Sequence, residues 1–354
     1  MDRILVIVQR SNGDVFLSKS LIDNLQNSYK GSKLDLLIND DTYAIASLFE
    51  NINKIIQFSY REKKTNPIKQ ELRIIKKIYQ KYDLAISLTA SDRSNLYAIL
   101  SAKKSISAVE NDLLKSWWKR IFNSEFYIFN SYEHILVNNL KPLELLDIAF
   151  RKELQTITLK ENSLEKAKKK FQKYIGNFVI FHPCAQYEYK IYPEKSRNKL
   201  LEKLSDLGIY ILVTGSSSEI DLGIKRTIPV RKNIINLIGK ISLEEYLILS
   251  SLSKCFIGMD TLNMHIAASQ NKKIFAIFGP TILKMWSPWS NSTNSCASIN
   301  QQVNKYGNVT IFQADLPCVA CGNMGCNNEY DESACLNHID PEIIYKEVKN
   351  FLND

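Results

Sequence analysis

Four cysteines crowd near the end of this 354-residue sequence in the spacing Cys318-x2-Cys321-x4-Cys326-x8-Cys335. Thiolates that close along a chain can surround one tetrahedral Zn or Fe ion, and the first pair has zinc-knuckle spacing. In a reducing compartment the cluster reads more naturally as a structural metal site than as disulfides, with unlinked thiols as the other alternative. A second chemistry is suggested by four turns that each follow an apolar run. They are His182-Pro-Cys-Ala-Gln186, Thr214-Gly-Ser-Ser-Ser-Glu219, Gly258-Met-Asp-Thr261 and Gly279-Pro-Thr281. Backbone N–H groups at helix starts favour phosphate, and several such turns on one sheet edge would make a nucleotide site.

The elements that must carry these turns alternate between strand and helix patterns. Ile4–Val8, Leu34–Ile38, Ile55–Phe58 and Leu84–Leu88 are apolar runs of the kind found in parallel sheets covered on both faces. Phe178–Phe181, Tyr210–Val213, Cys255–Gly258 and Ile274–Phe278 repeat the pattern in the second half. The expected organisation is an α/β protein with a first domain over 1–160, a charged helical connection over 161–177, a second domain over 178–340 and a terminal helix over 341–354. Two doubly wound domains would face each other across a cleft.

The formal charge is +9, from 46 Lys and Arg against 37 Asp and Glu. With no nucleic-acid module visible, that balance suits anionic lipid or a phosphorylated glycan. The first residues do not read as a secretory signal, and no stretch approaches the ~20 apolar residues that span a bilayer. A cytoplasmic protein is expected, with peripheral contact at the cytoplasmic face of the inner membrane as the further reading. Arg61, Lys63, Lys64, Lys69, Arg73, Lys76, Lys77 and Lys81 form a basic segment expected to lie partly on one helix face. Leu113–Phe122 mixes bulky apolar and basic residues, which suits either a membrane interface or a half-buried helix with solvated lysines.

The order of these motifs resembles glycosyltransferase family 9, the heptosyltransferases. Asn12-Gly-Asp14 resembles its loop after the first strand, and Tyr82–Ser94 its "Y-D-x-x-I-D-L … R-S" segment. Gly258–Ala268 resembles the "G-x-D-T-G-x-x-H-x-A-A" stretch, and Lys272–Thr281 with Trp286 and Pro288 the "F-G-P-T … W … P" continuation. The resemblance implies a GT-B fold with the acceptor on the first domain and a nucleotide-sugar, ADP-heptose-like, on the second. It implies inverting transfer with no catalytic cofactor, to an anionic glycan or glycolipid such as a lipopolysaccharide core.

By the same resemblance Asp14 falls on the general base, which takes a proton from the attacking acceptor hydroxyl. Lys190 falls on a lysine that steadies the departing diphosphate. Glu219 falls on an acid that accepts from the ribose, and Asp260 and Thr261 on the donor loop. Thr214 and Gly215 join the donor turn. Asn12, Gly13, Arg61, Lys63 and Lys64 fall in the acceptor region, and His265 on a supporting position. Cysteine clusters of this kind occur in a subset of the family that includes iron-containing relatives. Two departures stand out. Leu262 replaces the family's glycine, whose lack of a side chain would let the diphosphate approach the backbone. Ser87 stands where an Asp is common. A nucleotide-sugar epimerase of the same layout, or a degenerate binding subunit, are the alternative functions.

Overall fold

A computed structural model describes residues 1–330 and 332–353. The chain divides into two compact units, Met1–Ile157 and Thr158–Asp354. In the first, β1 (Arg3–Val8), β2 (Lys33–Asn39), β3 (Ile52–Phe58), β4 (Tyr82–Ser87), β5 (Ala102–Val109) and β6 (Glu125–Ile128) form one sheet in the order β3-β2-β1-β4-β5-β6. Every neighbouring pair is parallel. Ile4, Leu5, Val6 and Ile7 are fully buried because helices cover both faces of β1.

The second unit repeats the plan. Its strands are β7 (Phe178–His182), β8 (Tyr210–Val213), β9 (Ile234–Asn236), β10 (Cys255–Met259), β11 (Lys273–Ile277), β12 (Val303–Tyr306) and β13 (Val309–Phe312). Their order is β12-β13-β11-β10-β7-β8-β9. Only β12 runs antiparallel, joined to β13 by a turn in which Gly307 has φ +46°. A fully buried hydrophobic core runs from Val179 and Phe181 through Ile257 and Phe275 to Ile344 and Val348 of the helix Pro341–Asn353.

Each expected strand run forms a strand, with Leu88 and Phe278 one residue past the ends of β4 and β11, while β5 and β6 carry no apolar run that announces them. Ser105 and Ser107 are buried in β5 because Ser124 and Asn123 satisfy them, the Ser107 hydroxyl donating to Asn123 Oδ1 at 2.7 Å. The basic segment is not one helix face. Asn66 and Pro67 divide it into helices Tyr60–Thr65 and Pro67–Ile78, since proline starts a helix well but cannot continue one. The charged connection contains a helix, Glu161–Lys170, that packs against Leu243–Leu252; Lys170 donates to Glu245 at 2.6 Å. Residue 354 of the expected terminal helix lies outside the described residues. No helix among them is long and apolar enough to cross a membrane.

In a doubly wound sheet the ligand crevice opens where strand order reverses, at the carboxyl ends of the two central strands. Those strands are β1 and β4 in the first unit and β7 and β10 in the second.

Candidate active site

In the first unit the chain leaves β1 through Gln9 and Arg10 and enters the helix Asn12–Leu17, with Ser11 as N-cap. Gln9 is tied to the other central strand: its N–H donates to Thr89 Oγ1 at 3.0 Å, and Ser94 Oγ donates to its side chain at 2.8 Å. Asp14, at the third helical position, is only 4% exposed. Its Oδ2 accepts from the Ser11 N–H at 3.2 Å and the Ser11 hydroxyl at 2.6 Å. Its Oδ1 lies 2.9 Å from Arg10 Nε, and the Arg10 guanidinium rests over the Phe129 ring. Asp14 therefore caps the helix and is oriented by a cation at once. Asn12 and Gly13 are half-buried beside it.

Arg61, Lys63 and Lys64 are exposed on the short helix that follows edge strand β3. Sequence reasoning gave no role to Arg93, which starts the helix after β4. Its guanidinium stacks 3.9 Å from the Phe58 centroid and pairs with Glu71 at 3.8 Å. Its buried Nη1 makes no hydrogen bond among the described residues. Aromatic residues just before a basic run were the available signal, but stacking partners are not adjacent in sequence. Ser87, the family's frequent Asp, is buried and donates to the Thr89 carbonyl at 3.0 Å.

In the second unit β7 and β10 approach so closely that a Cβ on Gly258 would lie 2.4 Å from the His182 carbonyl oxygen. Just past these ends, Lys190 donates to Asp260 Oδ2 at 3.0 Å. Burial, the largest influence on the Lys190 ammonium, pulls its pKa down, but the Asp260 charge and hydrogen bond together carry it above the ordinary lysine value. Lys190 is thus held as a cation. Tyr187 and Tyr189 stack beside it with centroids 5.4 Å apart, and Tyr330 closes on both rings. Thr261 is the extended N-cap of the helix Leu262–Ser269, and its hydroxyl donates to the Met259 carbonyl at 3.4 Å.

The Thr214 hydroxyl is committed elsewhere: it shares a 2.9 Å hydrogen bond with His182 Nδ1. Gly215 is required by packing, since a Cβ there would sit 2.5 Å from Cys184 Sγ. Glu219 is exposed at the first position of the helix Glu219–Arg226. It lines a cavity of about 770 Å³ with Glu188, Tyr192, Arg197 and Ser333.

His182 supplies a pH prediction. Burial, outweighing the opposite pull of Asp221 and Thr214, lowers its pKa from 6.5 to about 4. The unfolded chain then binds more protons than the folded one between those values, so stability falls as pH falls through that window. A loss of roughly 3 kcal/mol by pH 4 is expected. Urea midpoints should show a clearly shallower slope from pH 7 to 4 in His182→Gln.

Residues 71–314 match glycosyltransferase family 9 (heptosyltransferase). The chain belongs to that family. Among curated relatives, family 9 resemblance runs to lipopolysaccharide heptosyltransferase 3 of Escherichia coli K12, 28% identical over 80% of this chain and 84% of the relative. Lipooligosaccharide heptosyltransferase 2 of Haemophilus influenzae is 23% identical over 85% of this chain and 90% of its own. Among solved structures, E. coli ADP-heptose lps heptosyltransferase II superposes with TM-score 0.73 at 18% identity, over 99% of this chain and 98% of the other. The fold is therefore the GT-B arrangement of two Rossmann-like units, and this family 9 protein is a glycosyltransferase.

Leu262 lies in the helix and outside the positive-φ residues, so its backbone is unstrained there. One family-level expectation changes. The four-thiolate metal site is not assembled: among the described residues no group of three or more His, Cys, Asp or Glu is placed to hold a metal ion. Cys318, Cys321 and Cys326 are exposed, whereas Cys335 is buried within the helix Ala334–Asn337. Cys326 Sγ instead accepts from the Ala334 N–H at 3.3 Å. Burial, with lesser contributions from the three other thiols, pushes the Cys335 thiol up to about 11.

Proposed function

We propose that this family 9 enzyme moves heptose, or a related sugar, from an ADP-sugar to a lipopolysaccharide-core or other surface-glycan acceptor, with inversion. The relatives' names support the donor and the acceptor class. The observation that carries the reading is that the Lys190–Asp260 pair and Thr261 stand at the carboxyl ends of β7 and β10, the crevice of the second sheet. A cation fixed there opposes the negative charge that grows on the leaving diphosphate as the anomeric C–O bond breaks. Thr261 offers that diphosphate a hydroxyl and the start of a helix. Asp14 accepts the proton of the acceptor hydroxyl as it attacks the anomeric carbon, so the products are the extended glycan and free ADP.

Arg93 joins Arg61, Lys63 and Lys64 as a contact for acidic groups on the acceptor. Glu219 accepts from the ribose, and Gly215 allows the donor past the β8 turn. The enzyme works at the cytoplasmic face of the inner membrane. No step runs through the cysteine cluster.

Incubation with ADP-heptose and a heptose-free core acceptor tests the reading. Release of ADP with a heavier glycan is expected by mass spectrometry. An altered sugar formed without acceptor would make the protein an epimerase, and nucleotide binding with neither product would make it a binding subunit.

A further inference from the structure

The helix Leu113–Phe122 is turned inside out. At 3.6 residues per turn, Leu113, Trp117, Ile121, Leu114, Trp118 and Phe122 fill one continuous half of it. A helix packed on a sheet ordinarily buries that half. Here Leu113, Leu114, Trp117, Ile121 and Phe122 are between 57% and 88% exposed.

The half turned toward the protein is polar. Lys119 is fully buried, and its ammonium donates to both Glu110 carboxylate oxygens and to the Ala90 carbonyl while pairing with Asp92 at 2.7 Å. Ser116 donates to the Asp112 carbonyl, and Arg120 donates to the Ser116 hydroxyl and the Glu110 and Asn111 carbonyls. These bonds fix the rotation of the helix, so the apolar half has no route inward.

The surface extends beyond one helix. Pro67–Ile78, Asp92–Ser101 and Leu113–Phe122 lie side by side. Ile68 and Leu72, one turn apart on the first, and Leu96 on the second are exposed as well. Cations outnumber acids on these three helices. Lys69, Lys76, Lys77 and Lys115 are exposed and Arg73 pairs with Glu62 at 2.7 Å, whereas Glu71 is held by Tyr97 and Arg93, the exposed Asp92 pairs with Lys119, and Leu113–Phe122 has no acid.

We propose that this face seats the enzyme on an anionic lipid bilayer. Leu113, Leu114, Trp117, Ile121 and Phe122 enter the boundary between headgroups and acyl chains, and the flanking lysines meet lipid phosphates. A second copy of the chain fits worse, because pairing this face with itself opposes cation to cation in a protein of charge +9. The proposal deepens the membrane part of the reading above and is tested apart from sugar transfer.

The full chain is mixed with vesicles of phosphatidylcholine alone or with about 30% phosphatidylglycerol, and binding is followed by sedimentation and tryptophan fluorescence. The expected result is binding to the anionic vesicles with a blue shift, weakened at least about tenfold in the double variant Leu114→Asp, Trp117→Asp. Both side chains are exposed, so the variant should keep its melting temperature and its turnover of a short soluble acceptor. Three results would overturn the proposal: no wild-type binding to anionic vesicles, equal binding by the variant, or a solution dimer that the variant dissolves. Vesicle binding by a wild type that transfers no sugar would instead count only against the transferase reading.

Discussion

Replacing Asp14 by asparagine is expected to lower kcat by about 10²–10⁴-fold while changing ADP-sugar affinity by less than about threefold. The amide keeps an oxygen that can accept from the Ser11 N–H and hydroxyl, so the helix start should survive. What it loses is the basic oxygen facing Arg10 at 2.9 Å, and with it the ability to take the acceptor's proton. If Asp14 only capped the helix, the same change would shift stability by up to about 1 kcal/mol and leave kcat near wild type. Steady-state kinetics together with donor binding by calorimetry separate the two. A normal kcat in a folded variant excludes Asp14 as the base.

Lys190→Met is expected to reduce kcat/KM by about 10²–10³-fold, because it removes a cation held at the end of β10 where leaving-group charge would develop. It also leaves the Asp260 carboxylate, whose side chain is 9% exposed, without its partner. A destabilisation of about 1–3 kcal/mol should accompany it. Adding Asp260→Asn relieves that unpaired charge, so the double variant should regain melting temperature without regaining activity. Recovery of both together would show that the pair is structural and that another group stabilises the diphosphate.

These predictions rest on residues that sequence and structure disclosed unequally. Asp14, Lys190, Asp260 and Thr261 stood out as candidates because order and spacing along the chain carry the family pattern, and each comes after an apolar run that forms a strand. Arg93 was not, because its meaning depends on Phe58 lying 3.9 Å away from a strand 35 positions earlier. Thr214 and Gly215 were legible as a turn. What the turn packs against was not: the Thr214 hydroxyl bonds His182 Nδ1, and a Cβ on Gly215 would meet Cys184 Sγ. The cysteine spacing promised a metal site, yet spacing fixes only how far the chain must reach and not where four sulfurs point.

By itself, the sequence determined that strands and helices alternate, that two sheets form, and which strand ends carry polar turns. Runs such as Ile4–Val8 admit few other solutions once both faces of a sheet must be covered. Tertiary structure alone decided the orientation of Leu113–Phe122. Periodicity shows that a helix has two unlike faces, but not which one turns inward. Here Glu110 and Asp92 receive Lys119, which makes burial of a lysine tolerable and leaves the leucines and Trp117 outside.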